Sequence, residues 1–376
     1  RDQPLSRGLG YVYKRQVENG YQPIWKITKE KKDILEDIKK FSQDADSVYF
    51  ATDPDREGEA ISKHIYDILN ESNLLKNKTI HRVAFNEITK NAVLDAMKNP
   101  RDISIDLWNA YLARRTLDYL MGYDISEFLW KKVSRDARGG RVQSPALRLI
   151  VEREKEISDF NPVEFWTTVV NACSGNDCID TELISIDGEK IKKGNITTIG
   201  NAQDAEQNKT EIEKCKDLEI KSIKTSERKM KPRAPFTTAS LQQTAYTMLS
   251  FSVKQTSSIA QRLYQGVDLG DGETIGLITY MRTDSTNLST EAISELNNYL
   301  SEKHPQFQSK EVRKYQNKVK NAQEAHEAIR PTSIYNEPEK VKNFLNDVEY
   351  KLYSLIWKRT VASQMTDAVY LSLIHI

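Results

Sequence analysis

Cysteine is scarce: three in 376 residues, Cys173, Cys178 and Cys215, with no CxxC pair among them. That is too few to suggest a disulfide framework or a zinc site, and it favours a reducing compartment. Long apolar runs are missing as well, since no uncharged stretch approaches the ~18 residues of a membrane span. The opening RDQPLSRGLGYVYKRQ has no apolar core of the kind a secretory signal needs. No charge of one sign dominates, because 55 Lys and Arg face 54 Asp and Glu. Net charge therefore says nothing of a nucleic-acid ligand, which has to show in local clustering. There is no GxxxxGK[ST] phosphate loop, no HExxH zinc pattern and no internal repeat. With 38% hydrophobic and 29% charged residues, the chain reads as a soluble globular protein. At roughly 100 to 200 residues per domain it holds two to four domains.

The charge clustering is present. Residues 128–150 carry Lys131, Lys132, Arg135, Arg138, Arg141 and Arg148 against Asp136 alone, and residues 221–233 carry six basic residues against Glu227 alone. Both ends of the chain, residues 1–16 and 371–376 (LSLIHI), lack helical or strand periodicity and are set aside as non-native, so a fragment cut at both ends is expected.

Between them the texture changes several times. SVYFAT (47–52) is a short apolar run that meets an acidic cluster, after which Ile61, Ile65 and Leu69 recur at helical spacing. HRVAF (81–85) repeats the pattern, with Asn86 or Thr89 able to cap the helix of Val93 and Met97. An α/β domain is expected to residue 100, then a helical domain over 101–160 with Leu107, Tyr111 and Leu120 on one helix and Leu147, Ile150 and Val151 on another. FWTTVV, TELISI and ITTI, with Asp187-Gly188 as a hairpin turn, predict a β-rich region over 161–231. After KMKPRAPFTT, two helices with a short connection resemble a helix-turn-helix, the second stopped by Gly266, within a domain over 232–362. Residues 363–376 are expected to return to the β-rich region.

Asp53, Asp55, Glu57 and Glu59 lie within TDPDREGE at the end of a predicted strand. Carboxylates two apart after a strand can converge on a hard cation such as Mg²⁺, and charge alone equally suits a solvated helix start favoured by the dipole. Gly58, which permits close backbone approach, and Arg56, a cation where phosphate needs neutralising, favour the first reading. Here DPDREGEA resembles the Toprim acidic motif of type IA DNA topoisomerases. AFNEIT (84–89), LARRTLDYLMGY (112–123), GGRVQSPALRLIVERE (139–154), GLITYMRTDSTNLS (276–289) and AHEAIRPT (325–332) follow in the family's order, from Val17 to Tyr370. The wording is similar to the bacterial topoisomerase I branch more than to topoisomerase III or reverse gyrase.

The resemblance implies that Tyr280 attacks DNA, giving a 5′-phosphotyrosyl link and a free 3′-hydroxyl, with Arg282 neutralising the phosphate. Two residues apart on a continued strand, the two side chains share a face. Asp284-Ser285-Thr286 is read as a supporting turn. His326 is implied beside the scissile region as a hydrogen-bond donor, Glu57 as a catalytic carboxylate, and Asp53, Asp55 and Glu57 as Mg²⁺ ligands. Glycines 139 and 140, Arg141, and Ser144 as an N-cap before Pro145 form a ready anion site. In the family reading Arg141, Gln143 and Ser144 contact phosphate, and Arg56, Arg114, Arg115, Asp118 and Arg330 join the single-strand groove. For Arg114 and Asp118, the plainer reading is an i,i+4 surface pair.

The implied fold is multidomain α/β and α+β: a Toprim α/β domain, a helical domain, a β-rich arch and a helix-turn-helix-like (CAP-like) domain carrying Tyr280, closed into a toroid. The implied activity is ATP-independent, Mg²⁺-dependent relaxation of negatively supercoiled DNA, acting on its single-stranded segments, by a monomer in the cytoplasm at the nucleoid. A Toprim nuclease or primase-like enzyme would need neither Tyr280 nor the GGRVQS site, and a non-catalytic DNA-binding fragment would leave the acidic cluster idle. Nothing in residues 1–46 resembles the family's N-terminal Toprim glutamate, and Glu18 in VENGYQP is not a match. The chain is therefore expected to bind single-stranded DNA with little relaxation of its own.

Overall fold

The computed structural model describes residues 25, 27–192, 198–215, 217–270, 274–315 and 327–375. Helix α1 (Lys32–Gln43) leads into strand β1 (Ser47–Phe50), helix α2 (Arg56–Glu71) and strand β2 (Thr79–Arg82). β1 and β2 pair in parallel, Ser47 opposite Thr79 and Phe50 opposite Arg82. Parallel strands need a long crossover, and α2 supplies it. The acidic cluster consequently sits where β1 gives way to α2. Helix α3 (Lys90–Lys98) is capped by Thr89, one of the two expected caps, whose side chain accepts from Ala92 N at 3.3 Å.

Helices α4 (Ile105–Lys132) and α5 (Gln143–Ser158) form as expected, with one difference. Leu147, Ile150 and Val151 of α5 are exposed, so among the described residues nothing covers the face that its periodicity marks as apolar. Strands β3 (Val169–Ser174) and β4 (Asp177–Glu182) are antiparallel, and β5 (Ser185–Ile186) meets β6 (Glu189–Lys190). Asp187 and Gly188 turn that second hairpin with φ of 51° and 85°, the doubly positive pattern that Asp-Gly favours. Two expectations fail in this region. Cys173 and Cys178 stand directly opposite each other on β3 and β4 and are disulfide-bonded, while Cys215 is free. Helix α6 (Ala202–Lys214), capped by Asn201, interrupts what was read as continuous β structure. Its sequence AQDAEQNKTEIEK is built of good helix formers but has no apolar stripe to betray it.

Strand β7 (Ile223–Met230) pairs with β10 (Ala368–His375), so residues 371–375, set aside on their pattern, lie in a strand. Between them come α7 (Thr238–Leu249), α8 (Val253–Gln265), β8 (Val267–Asp268), β9 (Thr274–Ile275), α9 (Thr290–Lys303), the one-turn α10 (Pro338–Val341) and α11 (Asp347–Ser363). The expected pair of helices is α7 and α8, joined through Ser250 at a left-handed φ of 58° and Ser252, which caps α8. The chain divides into two compact units, residues 1–125 with 229–369, and residues 126–228 with 370–376. Among the described residues, no helix is long and apolar enough to cross a membrane.

The core of the first unit gathers α7, α8 and α11 around Leu263, Leu277, Ile278, Ile329, Tyr353 and Ile356. IGLITY, expected as a strand, keeps only Ile275 in one, and from Gly276 the segment threads between three neighbours. Gly276 N donates to Ile88 O at 3.0 Å, Leu277 N to Leu263 O at 2.8 Å, Thr279 N to Arg330 O at 2.9 Å and Tyr280 N to Asn86 O at 2.7 Å. Leu277 and Ile278 are wholly buried, at about 1.5 to 3 kcal/mol each, and they anchor the segment beside Tyr280. A Cβ at Gly276 would come within 2.6 Å of Tyr264 O, so only glycine allows this approach.

Candidate active site

The loop from β1 to α2 is shaped from beneath by one buried arginine. Arg82, at the end of β2, donates to the carbonyls of Phe50 at 3.1 Å, Thr52 at 2.9 Å and Asp53 at 2.7 Å, and also to that of Val83. Its charge is met by Glu59, which accepts from Arg82 Nε at 3.1 Å, from Arg101 through both oxygens at 2.8 Å, and from Ser104 N at 2.5 Å. Glu59 is 0% and Arg82 1% exposed. Burial raises the Glu59 pKa, but the hydrogen bonds from Arg101 and Ser104 and the two guanidinium charges outweigh it and hold the carboxyl below its usual range. A buried charge pair of this kind survives only with its hydrogen bonds complete. Gly58 completes the turn, since a Cβ there would stand 2.0 Å from Asp53 O.

Asp55 then serves two purposes at once. Its Oδ1 accepts from Gly58 N at 2.7 Å and caps α2, while its Oδ2 accepts from the Tyr280 hydroxyl at 2.7 Å and from Arg282 at 3.2 Å. The same Arg282 nitrogen donates to Glu57 Oε2 at 3.0 Å, and Glu57 Oε1 lies 3.9 Å from Arg114. The strand expected to align Tyr280 and Arg282 does not continue, with a bend at Met281 between them, yet both side chains reach Asp55 Oδ2. Tyr280 is 2% exposed, and Tyr264 of α8 stands edge-on to it with ring centroids 5.3 Å apart. Burial, then the charge and hydrogen bond of Asp55, push the Tyr280 phenol far above its usual value. Burial opposes the charge of Arg282, but the Tyr280 phenol and the carboxylates of Asp55, Glu57 and Asp53 outweigh it and keep the guanidinium firmly cationic.

A cleft of about 580 Å³ opens over this array, lined by Asp55, Arg56, Glu57, Arg114 and Arg282 together with Leu107, Ala110, Thr238 and residues 283–285. Ser285 is buried and bonds within its turn to Thr283 Oγ1 and Asn287 N, the supporting role expected of it. Arg115 and Asp118 are half-buried on α4 in the same unit. Arg330 is placed differently from a groove residue: its guanidinium is engaged by Glu87, Glu327 and Pro331 O. His326 lies outside the described residues. Among those described, no three of His, Cys, Asp and Glu gather as a metal would require. What the fold presents is the pair Asp55 and Glu57, whose oxygens already flank one cationic nitrogen. Two carboxylates completed by water and phosphate oxygens are an ordinary Mg²⁺ donor set.

The GGRVQS stretch belongs to the second unit. α5 begins at Gln143, a residue before Ser144, because Ser144 N already donates to Gly140 O at 3.0 Å in a helix-like turn. Ser144 is consequently not the N-cap, and its hydroxyl accepts from Gly140 N at 3.1 Å. Pro145 still falls in the first turn, where its missing N–H costs nothing. Arg141, Gln143 and Ser144 are all exposed at this helix start. Sequence reasoning put Glu59 in the cation-binding cluster, whereas the structure turns it inward to Arg82 and Arg101, and it missed Arg82, Arg101 and Glu87. The available signal was a charged residue inside an apolar strand, Arg82 in HRVAF, which demands a buried partner.

A parallel β–α–β pair thus brings carboxylates at its end to a buried tyrosine that is hydrogen-bonded to one of them. The family model described as DNA topoisomerase matches residues 102–373, and that described as Toprim domain matches residues 10–88, taking in residues 10–16 that were set aside. The chain belongs to the type IA DNA topoisomerase family. It is 44% identical to DNA topoisomerase 1 of Xylella fastidiosa (strain 9a5c) over 353 residues, covering 94% of this chain and 43% of that protein. To DNA topoisomerase 1 of Rickettsia bellii it is 47% identical over 339 residues, covering 89% and 41%. Full-length topoisomerase I from Thermotoga maritima superposes with a TM-score of 0.74 at 37% identity, covering 95% of this chain and 55% of that one. The chain spans about two fifths of the length of the curated relatives it matches.

Proposed function

We propose that the chain carries the cleavage centre of a type IA DNA topoisomerase, an isomerase that relaxes negatively supercoiled DNA without ATP through its single-stranded segments. The observation that carries this reading is the hydrogen bond from the Tyr280 hydroxyl to Asp55, with Arg282 on the same carboxylate oxygen. In cleavage the Tyr280 oxygen gives its proton to Asp55 and forms a bond to phosphorus while the bond to the 3′ oxygen breaks, that oxygen leaving as a hydroxyl with a proton drawn from water. Religation reverses both changes, so the bond energy is stored in the phosphotyrosyl link while another strand passes. Asp55 orients the phenol and accepts its proton, and Arg282, whose charge favours the phenolate, offsets the neighbouring carboxylates that oppose it. Arg282, with Arg56 and Arg114 on the cleft, would neutralise the transferred phosphate. A bound Mg²⁺, which Asp55 and Glu57 would hold with Asp53 contributing its nearby charge, supplies further neutralisation and alignment of the broken ends.

In the same reading Arg115 and Asp118 border the single strand, Arg141, Gln143 and Ser144 contact its phosphates, His326 donates a hydrogen bond near the break, and the protein acts as a monomer at the cytoplasmic nucleoid. Replacing Tyr280 by Phe removes only the attacking oxygen. Cleavage of a single-stranded oligonucleotide should vanish in Tyr280→Phe while its binding stays within about twofold. Cleavage at the parent rate in that variant would overturn the assignment.

A further inference from the structure

The backbone around Tyr280 is gripped from two sides. On one side Thr279 N donates to Arg330 O at 2.9 Å, Arg330 N to Thr279 Oγ1 at 3.0 Å, and Thr279 Oγ1 to Ala328 O at 2.8 Å. On the other, Tyr280 N donates to Asn86 O at 2.7 Å and Gly276 N to Ile88 O at 3.0 Å. The two gripping segments are distant in sequence and are tied to each other by one ion pair, Arg330 to Glu87 at 3.0 Å. Glu87 is the residue after Asn86, and Arg330 is the very residue that holds Thr279.

Arg330 is 7% exposed, and each of its guanidinium nitrogens has a partner: Glu87, Glu327 at 2.6 Å and Pro331 O at 3.0 Å. Burial lowers its pKa, but the carboxylates of Glu327, Glu87 and Glu295 outweigh this and keep it charged. Glu87 is fixed in turn by the Thr89 hydroxyl at 3.1 Å, and Thr89 caps α3. Three of its five N–H donors, one on each nitrogen, are held by the protein, and the side chain is turned away from solvent.

We propose that Glu87 and Arg330 are a positioning pair for the attacking tyrosine. The inference rests on the reading of Tyr280 as nucleophile, and it gives Arg330 a role through the backbone in place of a DNA contact. By locking 86–88 to 328–330, the pair fixes the backbone on both sides of Tyr280, so that the phenol oxygen meets Asp55. Such control matters because a misplacement of about 1 Å at a reacting atom can cost on the order of a hundredfold in rate.

Glu87→Gln is the informative variant, because Arg330 keeps Glu327 and the fold keeps its buried charge compensated. In the full chain without DNA, hydrogen exchange at the amides of Thr279 and Tyr280 should quicken by roughly tenfold or more, with the amides of α11 unchanged. Cleavage at saturating single-stranded DNA should fall by a similar factor while the affinity holds. In Arg330→Gln the slope of log affinity against log salt should match the parent, whereas a phosphate contact would lower it by about one. Unchanged exchange at residues 279 and 280 in Glu87→Gln, or that lower slope in Arg330→Gln, would overturn the proposal. Exchange is read without cleavage, so the fate of the nucleophile assignment is decided separately, by whether the parent forms a covalent adduct.

Discussion

Asp55 is the residue on which the site turns, because one carboxylate caps α2 with Oδ1 and holds Tyr280 and Arg282 with Oδ2. Asparagine caps a helix about as well as aspartate, and alanine does not. Asp55→Asn should therefore melt close to the parent, Asp55→Ala should be less stable by about 1 kcal/mol, and both, placed in a full-length version, should lose its Mg²⁺-dependent relaxation. Thermal unfolding and plasmid relaxation of the two variants side by side check this; full relaxation by Asp55→Asn would reduce the residue to its cap. Of the competing readings of TDPDREGE, the helix start is met by Asp55, whose second oxygen holds Tyr280 and Arg282. Arg282 was legible from its spacing to Tyr280. The pairing of Tyr280 with Asp55 was not, since it joins residues 225 apart in sequence and no local pattern encodes it.

At the scale of elements, α2 and α4 are joined by an aromatic cluster. His64 of α2 stands 4.4 Å from Trp25, 5.0 Å from Trp108 and 6.2 Å from Tyr111, centroid to centroid, the last two on α4. Burial pushes the imidazole down to about 4, with the Asp67 charge opposing and Lys63 assisting. The unfolded chain then binds a proton that the folded one refuses, so stability falls as pH drops from about 6.5 and levels off below about 4. The loss across that window is about 3 kcal/mol. Urea midpoints at several pH values should show it in the parent and not in His64→Phe, after subtraction of the carboxylate titrations common to both. An equal pH dependence in the two proteins would contradict it.

Elements marked by periodicity or caps, such as α2, α3 and α8, could be read in the sequence. Helix α6 could not, because it lacks an apolar stripe, nor could the disulfide, which depends on the register that sets Cys173 opposite Cys178. The Glu59–Arg82–Arg101 cluster was hidden for a related reason. Its members look like surface charges until β2 and α2 pack together.

Over the whole chain, the order of short motifs was the strongest signal, since each alone has a plain structural reading and six in sequence do not. The apolar face of α5 and the seams at 125/126, 228/229 and 369/370 are properties of long-range packing, which local pattern does not reach. The central claim is that Tyr280 becomes joined to the 5′ end of a broken strand. Single-stranded DNA labelled at its 3′ end in one sample and at its 5′ end in another, incubated with the chain and stopped with denaturant, tests it directly. The 3′ label should migrate with the protein and map to the peptide that contains Tyr280, while the 5′ label leaves on a free fragment ending in a 3′-hydroxyl. A protein-bound 5′ label, an adduct that persists in Tyr280→Phe, or cleavage with no label on the protein would contradict the account.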